Sequence, residues 1–191
     1  MIIPPPIKEY TEEFLNSRFV NRYLGDQRTL RIGNIISFMS PLSLNDIDDD
    51  YNPIKIQASQ VIHFCIEIPE ISNYAGACFQ KLFITNTANI LANNHFNNDR
   101  FEVKNNDIII SKEHNNGGIQ QINGLVSISQ IKNTSGAILI YLGLYNKINK
   151  NSPPRAFPLN LDENTVGNFM DKVNESFYHL ANAIFLKTAK M

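Results

Sequence analysis

The eight residues Val61 to Ile68 read Val-Ile-His-Phe-Cys-Ile-Glu-Ile, and they constrain the fold more tightly than any other stretch. Apolar residues alternate there with a base, a thiol and a carboxylate, the pattern of a strand whose faces meet different surroundings. Ile62, Phe64, Ile66 and Ile68 share one face, which demands a packed layer. Val61, His63, Cys65 and Glu67 share the other, with about 7 Å between successive side chains at two residues of rise. A sheet surface carrying ionisable groups in a row is a floor on which a ligand can lie.

The alternation recurs further on. From Ala137 to Tyr145, Ile138, Ile140, Leu142 and Leu144 point one way, and Ala137, Leu139, Tyr141, Gly143 and Tyr145 the other. In the strand read over 124–132, Ser127 and Ser129 alternate with Val126, Ile128 and Gln130. If the wholly apolar faces turn toward helices, the opposite side gathers His63, Cys65, Glu67, Ser127, Ser129 and Tyr141. Gly143 then leaves room for a ligand against the backbone. Each residue also has an ordinary explanation: a strand histidine is commonly a satisfied core residue, a glutamate is commonly solvated, and serines are common on half-exposed strands. A Ser-His-Glu triad is not expected, because no Gly-x-Ser-x-Gly elbow is present and Ser127 lies in a plain strand.

Around these strands the chain reads as α+β, a mixed or antiparallel sheet with helices packed mainly on one face. An extended arm over 1–10 contains Pro4-Pro5-Pro6. Thr11 caps a helix that runs through Phe14, Phe19 and Tyr23 and stops at Gly25. A short strand over 33–38 ends at Pro41. A helix spans 73–93, with Ala77, Phe79, Leu82, Phe83, Ile90 and Leu91 on its apolar face. Hairpins follow, and after the linker Ser152-Pro153-Pro154-Arg155 a C-terminal helix is expected over 162–190, capped by Asp162. The 191 residues fit one domain.

Composition excludes some functions. Seventeen basic and 18 acidic residues give a net charge of −1, without the basic excess that binding long nucleic acid needs. The longest apolar run, Ala137 to Tyr145, is strand length and too short to span a bilayer. The N-terminus lacks the pattern of a signal peptide. Cys65 and Cys78 sit in apolar company and read as two buried free thiols, which places the protein in the cytoplasm. No zinc spacing appears. The acidic run Asp46 to Asp50 lacks the glycine and terminal glutamate of a calcium loop, so no metal is expected. The loop His114-Asn115-Asn116-Gly117-Gly118 lacks the Lys-Ser/Thr of a phosphate-binding loop.

Several short motifs, taken in order, resemble a known family. They are His63-Phe64-Cys65-Ile66-Glu67, Phe79-Gln80-Lys81-Leu82, Asn106-Asp107-Ile108-Ile109, Ser127-Ile128-Ser129 and Tyr141-x-Gly143. Their order and spacing resemble domain-of-unknown-function family three-six-six, an uncharacterised and largely archaeal family. The resemblance implies a fold akin to the catalytic domain of biotin and lipoate protein ligases, which bind an acyl-adenylate over one face of a mixed sheet. Asp107, within the third motif, joins the expected binding set. The chain departs from those ligases where their lysine stands in a Gly-x-Lys turn. Here the segment is Ile122-Asn123-Gly124-Leu125-Val126-Ser127, without a lysine. Their Arg-Gly-Gly-Gly-rich phosphate segment is also missing, and the family has a histidine where Tyr141 stands. Lys81 and Lys132 are the remaining candidates to meet a phosphate.

The expected function is therefore binding of a small polar metabolite over His63, Glu67, Ser127, Ser129, Tyr141 and Asp107, as a transferase-like enzyme without acyl-adenylate chemistry. The alternative is a non-catalytic interaction module that kept the fold. The residues assign no cofactor and no oligomeric state.

Overall fold

The computed structural model describes residues 7–16, 18–25, 33–47, 53–69, 71–94, 100–115, 119–134 and 136–188. A 3-10 turn (Glu12–Phe14) and the short helix α1 (Phe19–Leu24) precede β1 (Asn34–Ile47) and β2 (Pro53–Pro69). Then come α2 (Asn73–Asn94), β3 (Arg100–Lys104), β4 (Asp107–Asn115), β5 (Ile119–Leu125), β6 (Ser127–Thr134), β7 (Ala137–Lys147) and α3 (Glu163–Thr188). One sheet has the order β1-β2-β7-β6 and the other β3-β4-β5, and every ladder in both is antiparallel. The class is α+β.

Three local expectations change. The helix read from Thr11 to Leu24 divides in two, because Arg18 takes a left-handed backbone (φ 69°) and the Thr11 side chain makes no capping bond. β1 does not end at Pro41. That proline sits in a bulge between Ser40 and Leu42, where the ladder asks no amide hydrogen of it. The strand read over 124–132 is the end of β5 and the start of β6, in different sheets. Val126 joins them: its amide donates to the Ile108 carbonyl, and its own carbonyl accepts the Tyr145 amide.

The apolar face of the larger sheet meets α2 and α3, as the alternation requires. Ile62, Phe64, Ile66, Ile138, Ile140 and Leu142 pack there against Phe79, Phe83 and Leu91 of α2 and Phe169, Val173 and Phe177 of α3. Phe64 meets Phe83 and Phe169 edge-on at 6.2 and 6.1 Å. Ala77 and Leu82, read as inward, are exposed, and Ile84 and Ala88 take the inner positions of α2. Cys78 is exposed, not buried. Asp162 caps α3 by accepting the Thr165 amide and hydroxyl at 3.0 and 2.7 Å.

Candidate functional site

Residues directly opposite in an antiparallel ladder point to the same side, so register decides which side chains meet. Cys65 pairs with Tyr141, His63 with Gly143, and Glu67 with Leu139. His63, Cys65, Glu67 and Tyr141 therefore share the face away from α2 and α3. Ser127 and Ser129 do not: they pair with Leu144 and Leu142 and so lie on the opposite face. A one-residue offset of a strand moves all its side chains across the sheet, and the chain's turn at Val126 sets this one. Both hydroxyls stitch β6 to β4. Ser127 Oγ accepts the Ile108 amide, and Ser129 Oγ donates to the Asn106 carbonyl, each at 2.7 Å.

The middle of the shared face is filled by the chain's own N-terminal segment. The ring of Tyr10 lies parallel to Tyr141 at 4.2 Å and stacks on His63 at 5.0 Å. Phe38 covers the imidazole from β1 at 4.8 Å. Backbone bonds pin Tyr10 in place, its amide donating to Pro41 and its carbonyl accepting from Ser43, both at 2.9 Å. His63 and Tyr141 have no exposed surface.

The hydrogen bonds fix the state of His63. Its Nε2 lies 3.1 Å from the Ser40 carbonyl, which can only accept, and 3.0 Å from Ser40 Oγ, whose own proton goes to the Pro41 carbonyl, so Nε2 carries the proton. Nδ1 is then the acceptor for the Tyr141 hydroxyl at 3.0 Å. Burial lowers the His63 pKa to about 3, and the Ser40 carbonyl offsets only part of that. Burial also raises the Tyr141 and Cys65 pKa values well above ordinary ones. Three groups that look reactive in sequence are thus held neutral and away from water. The space above Gly143 is taken as well: a Cβ there would stand 2.3 Å from the Tyr141 hydroxyl. The sequence reading left that space to a ligand.

Open volume lies at the two ends of this face. At one end Glu67 lines a groove of about 680 Å³ with Arg18, Asn21, Arg22 and Thr134. Glu67 is only 3% exposed, and its carboxylate caps α1, accepting from the Arg18 amide, the Asn21 amide and Asn21 Nδ2 at 3.2, 3.3 and 2.9 Å. At the other end β2 outruns β7. Gln60 is its last residue paired to β7, opposite Lys147, and 53–58 pair with β1 alone. The gap is a cleft of about 420 Å³. Ile54, Lys55 and Ile56 form one wall, Leu125, Ile128 and Tyr145 the floor, and Asp107 and Ser127 the far side. Asn151 to Pro154 close it, tied down where Ser152 Oγ donates to the Gln57 carbonyl at 2.8 Å.

The expected binding residues are therefore divided. His63 and Tyr141 lie in a sealed centre, Glu67 lines the polar groove, Asp107 and Ser127 line the cleft, and Ser129 joins the two sheets. Lys55, Tyr145 and the 151–154 linker went unread as site residues. The alternation of Tyr141, Gly143 and Tyr145 carried part of that signal, and the end of β7 relative to β2 carried the rest. Lys81 and Lys132 are exposed and line neither the cleft nor the groove. The side chains of 46–50 and of the 114–118 loop lie outside the described residues.

No family model and no curated protein matches the chain. Among solved structures, a protein of unknown function from Pyrococcus horikoshi is 20% identical, with a TM-score of 0.71 over 100% of this chain and 95% of that one. That likeness shows a shared fold along the whole length. P. falciparum LipL1 in complex with lipoate has a TM-score of 0.49 at 13% identity, over 90% of this chain and 61% of that one. A lipoate-protein ligase A bound with ATP has 0.46 at 11%, over 95% and 93%.

Proposed function

We propose that the protein binds a small molecule in the 420 Å³ cleft, with Ile54, Asp107 and Ile128 among the residues in contact. The observation that carries this reading is the cleft itself, a mainly apolar recess with a few polar groups at its margin. Its volume falls within the usual range for small-ligand sites, roughly 300–1,000 Å³. The motif resemblance to domain-of-unknown-function family three-six-six supports a divergent relative of biotin and lipoate ligases. Gly124-Leu125 holds no lysine for a phosphate, which argues against acyl-adenylate formation. The free thiols Cys65 and Cys78 suit a cytoplasmic location. Native mass spectrometry of the protein as purified, beside Ile128→Trp to fill the floor, tests binding. A small molecule carried by the first and absent from the second is the expected result. Retention of the same molecule by Ile128→Trp would place its site elsewhere. Pyrophosphate release from ATP with lipoate or biotin would overturn the absence of ligase chemistry.

The second reading, a non-catalytic interaction module, is favoured by the sealed centre. Tyr10 of the same chain occupies the face where His63 and Tyr141 would otherwise act.

A further inference from the structure

The polar groove at the Glu67 end of the face is separate from the cleft, and one of its side chains is held in place with its charge unmatched. Arg22 donates from Nε to the Arg18 carbonyl at 3.3 Å and from Nη2 to Asn16 Oδ1 at 2.9 Å. Asn16 and Arg18 line the groove together with Arg22, so these two bonds fix the guanidinium at its wall. Asn16 is itself oriented, because its Nδ2 donates to the Glu13 carbonyl. A guanidinium presents five N–H groups in one plane, and the two bonds engage the edge that Nε shares with Nη2. The edge between Nη1 and Nη2 keeps a parallel pair of donors with no partner among the described residues. That fork receives a carboxylate or a phosphate bidentately.

No acid among the described residues pairs with this charge. The ion pairs there are those of Glu102 with Arg100 and Lys104, and neither Arg18 nor Arg22 has one. Arg18 stands four residues before Arg22, so two like charges share the wall and repel. Glu67 is the acid of the groove, but its carboxylate is spent on the Arg18 and Asn21 amides and on Asn21 Nδ2. Those amides are thereby taken, and the donors left over belong to side chains. Thr134 Oγ1 is spent too, on the Ala137 carbonyl. The described lining carries two positive charges against one enclosed negative charge. Its volume of about 680 Å³ leaves room for the body of a small molecule.

We propose that this groove binds a small molecule by its oxyanion group, a carboxylate or a phosphate, received by the outer edge of the Arg22 guanidinium with Arg18 beside it. The test follows the arginine Nε–H and backbone amide NMR signals of the full chain during titration with inorganic phosphate, with acetate and, as a salt control, with sodium chloride at matched ionic strength. Phosphate or acetate should shift Arg22 Nε–H and the Gly136 and Ala137 amides saturably, with Kd on the order of 1–10 mM, and chloride should not. The tighter of the two ions names the ligand as a phosphorylated compound or a carboxylic acid. Arg22→Gln should raise Kd at least about tenfold, and Arg22→Lys, which keeps the charge and loses the fork, should also bind more weakly than wild type. Arg22 is exposed, so the signals of the larger sheet should stay in place in both variants. Ile128→Trp, which fills the cleft, should leave the binding unchanged. If neither ion saturates these signals, if chloride matches them, or if Arg22→Gln binds as wild type does, the groove is not an oxyanion site. Loss of binding in Ile128→Trp would move the ion to the cleft and overturn the assignment as well.

Discussion

His63 enters the folded state neutral, with a pKa of about 3 against 6.5 for an exposed imidazole. The folded value is the lower one, so between these values the unfolded chain takes up a proton that the native chain refuses. The stability tied to this group is therefore complete above about pH 6.5. It declines as pH falls toward 3, by up to about 1.4 kcal/mol per pH unit. Urea unfolding of wild type and His63→Gln from pH 7 to 4 should show that extra slope in the wild type alone. Reading His63 as a half-buried residue on an open face gives a cost for His63→Ala within about 1 kcal/mol, against roughly 3–5 for Phe64→Ala. The structure corrects the first figure. His63 is enclosed by Tyr10 and Phe38 and bonded to Ser40 and Tyr141. Its truncation leaves a cavity and an orphaned hydroxyl, at about 2–4 kcal/mol. Thermal or urea unfolding of the two variants checks the comparison. Gly143→Ala should cost about 1–3 kcal/mol by forcing Tyr141 aside. Adding Tyr141→Phe should recover part of that cost, a coupling that a double-mutant cycle measures.

Among the elements, α1 depends most on what surrounds it. Six residues are too few to hold a helix in water, so its persistence rests on packing and on Glu67. The Glu67 carboxylate reaches it from β2, 46 to 49 residues away in sequence. Glu67→Ala should cost about 1–2 kcal/mol, and amide exchange at Arg18 and Asn21 should quicken more than in β2. α3 carries its own cap and is the contrasting case. Asp162→Ala should cost about 1 kcal/mol without loss of the helix, because Phe169, Val173 and Phe177 keep it on the sheet. The same contrast separates what was legible. The cap of α3 is four residues of local sequence, whereas the cap of α1 is a contact between distant segments.

Among the described residues, one face of the larger sheet is covered by two helices and the other by Tyr10, Phe14, Leu15 and α1. Tyr10 divides this second face into a sealed centre, a polar groove and a cleft. Tyr10→Ala should admit water to His63 and raise its pKa from about 3 toward the ordinary 6.5, which the ring-proton shifts of His63 report in a pH titration. An unchanged pKa would mean that Phe38 and β1 alone exclude water, and that Tyr10 plays no part in sealing the centre.

Alternation along β2 and β7 determined the helix-covered face and the side of the sheet that His63, Glu67 and Tyr141 share. These follow from side-chain period, which is a property of adjacent residues. Periodicity also located α2 and α3 nearly to their ends. It could not say that Ser127 and Ser129 face the other way, because the offset of β6 on β7 depends on where Val126 leaves one sheet for the other. Nor could it say that Tyr10 would lie on Tyr141, since nothing in the sequence beside Tyr10 states which surface its ring covers. A polar strand face reads the same whether a ligand or the protein's own arm lies on it. Only the packing of segments distant in sequence, in which burial outweighs local preference, decided between them.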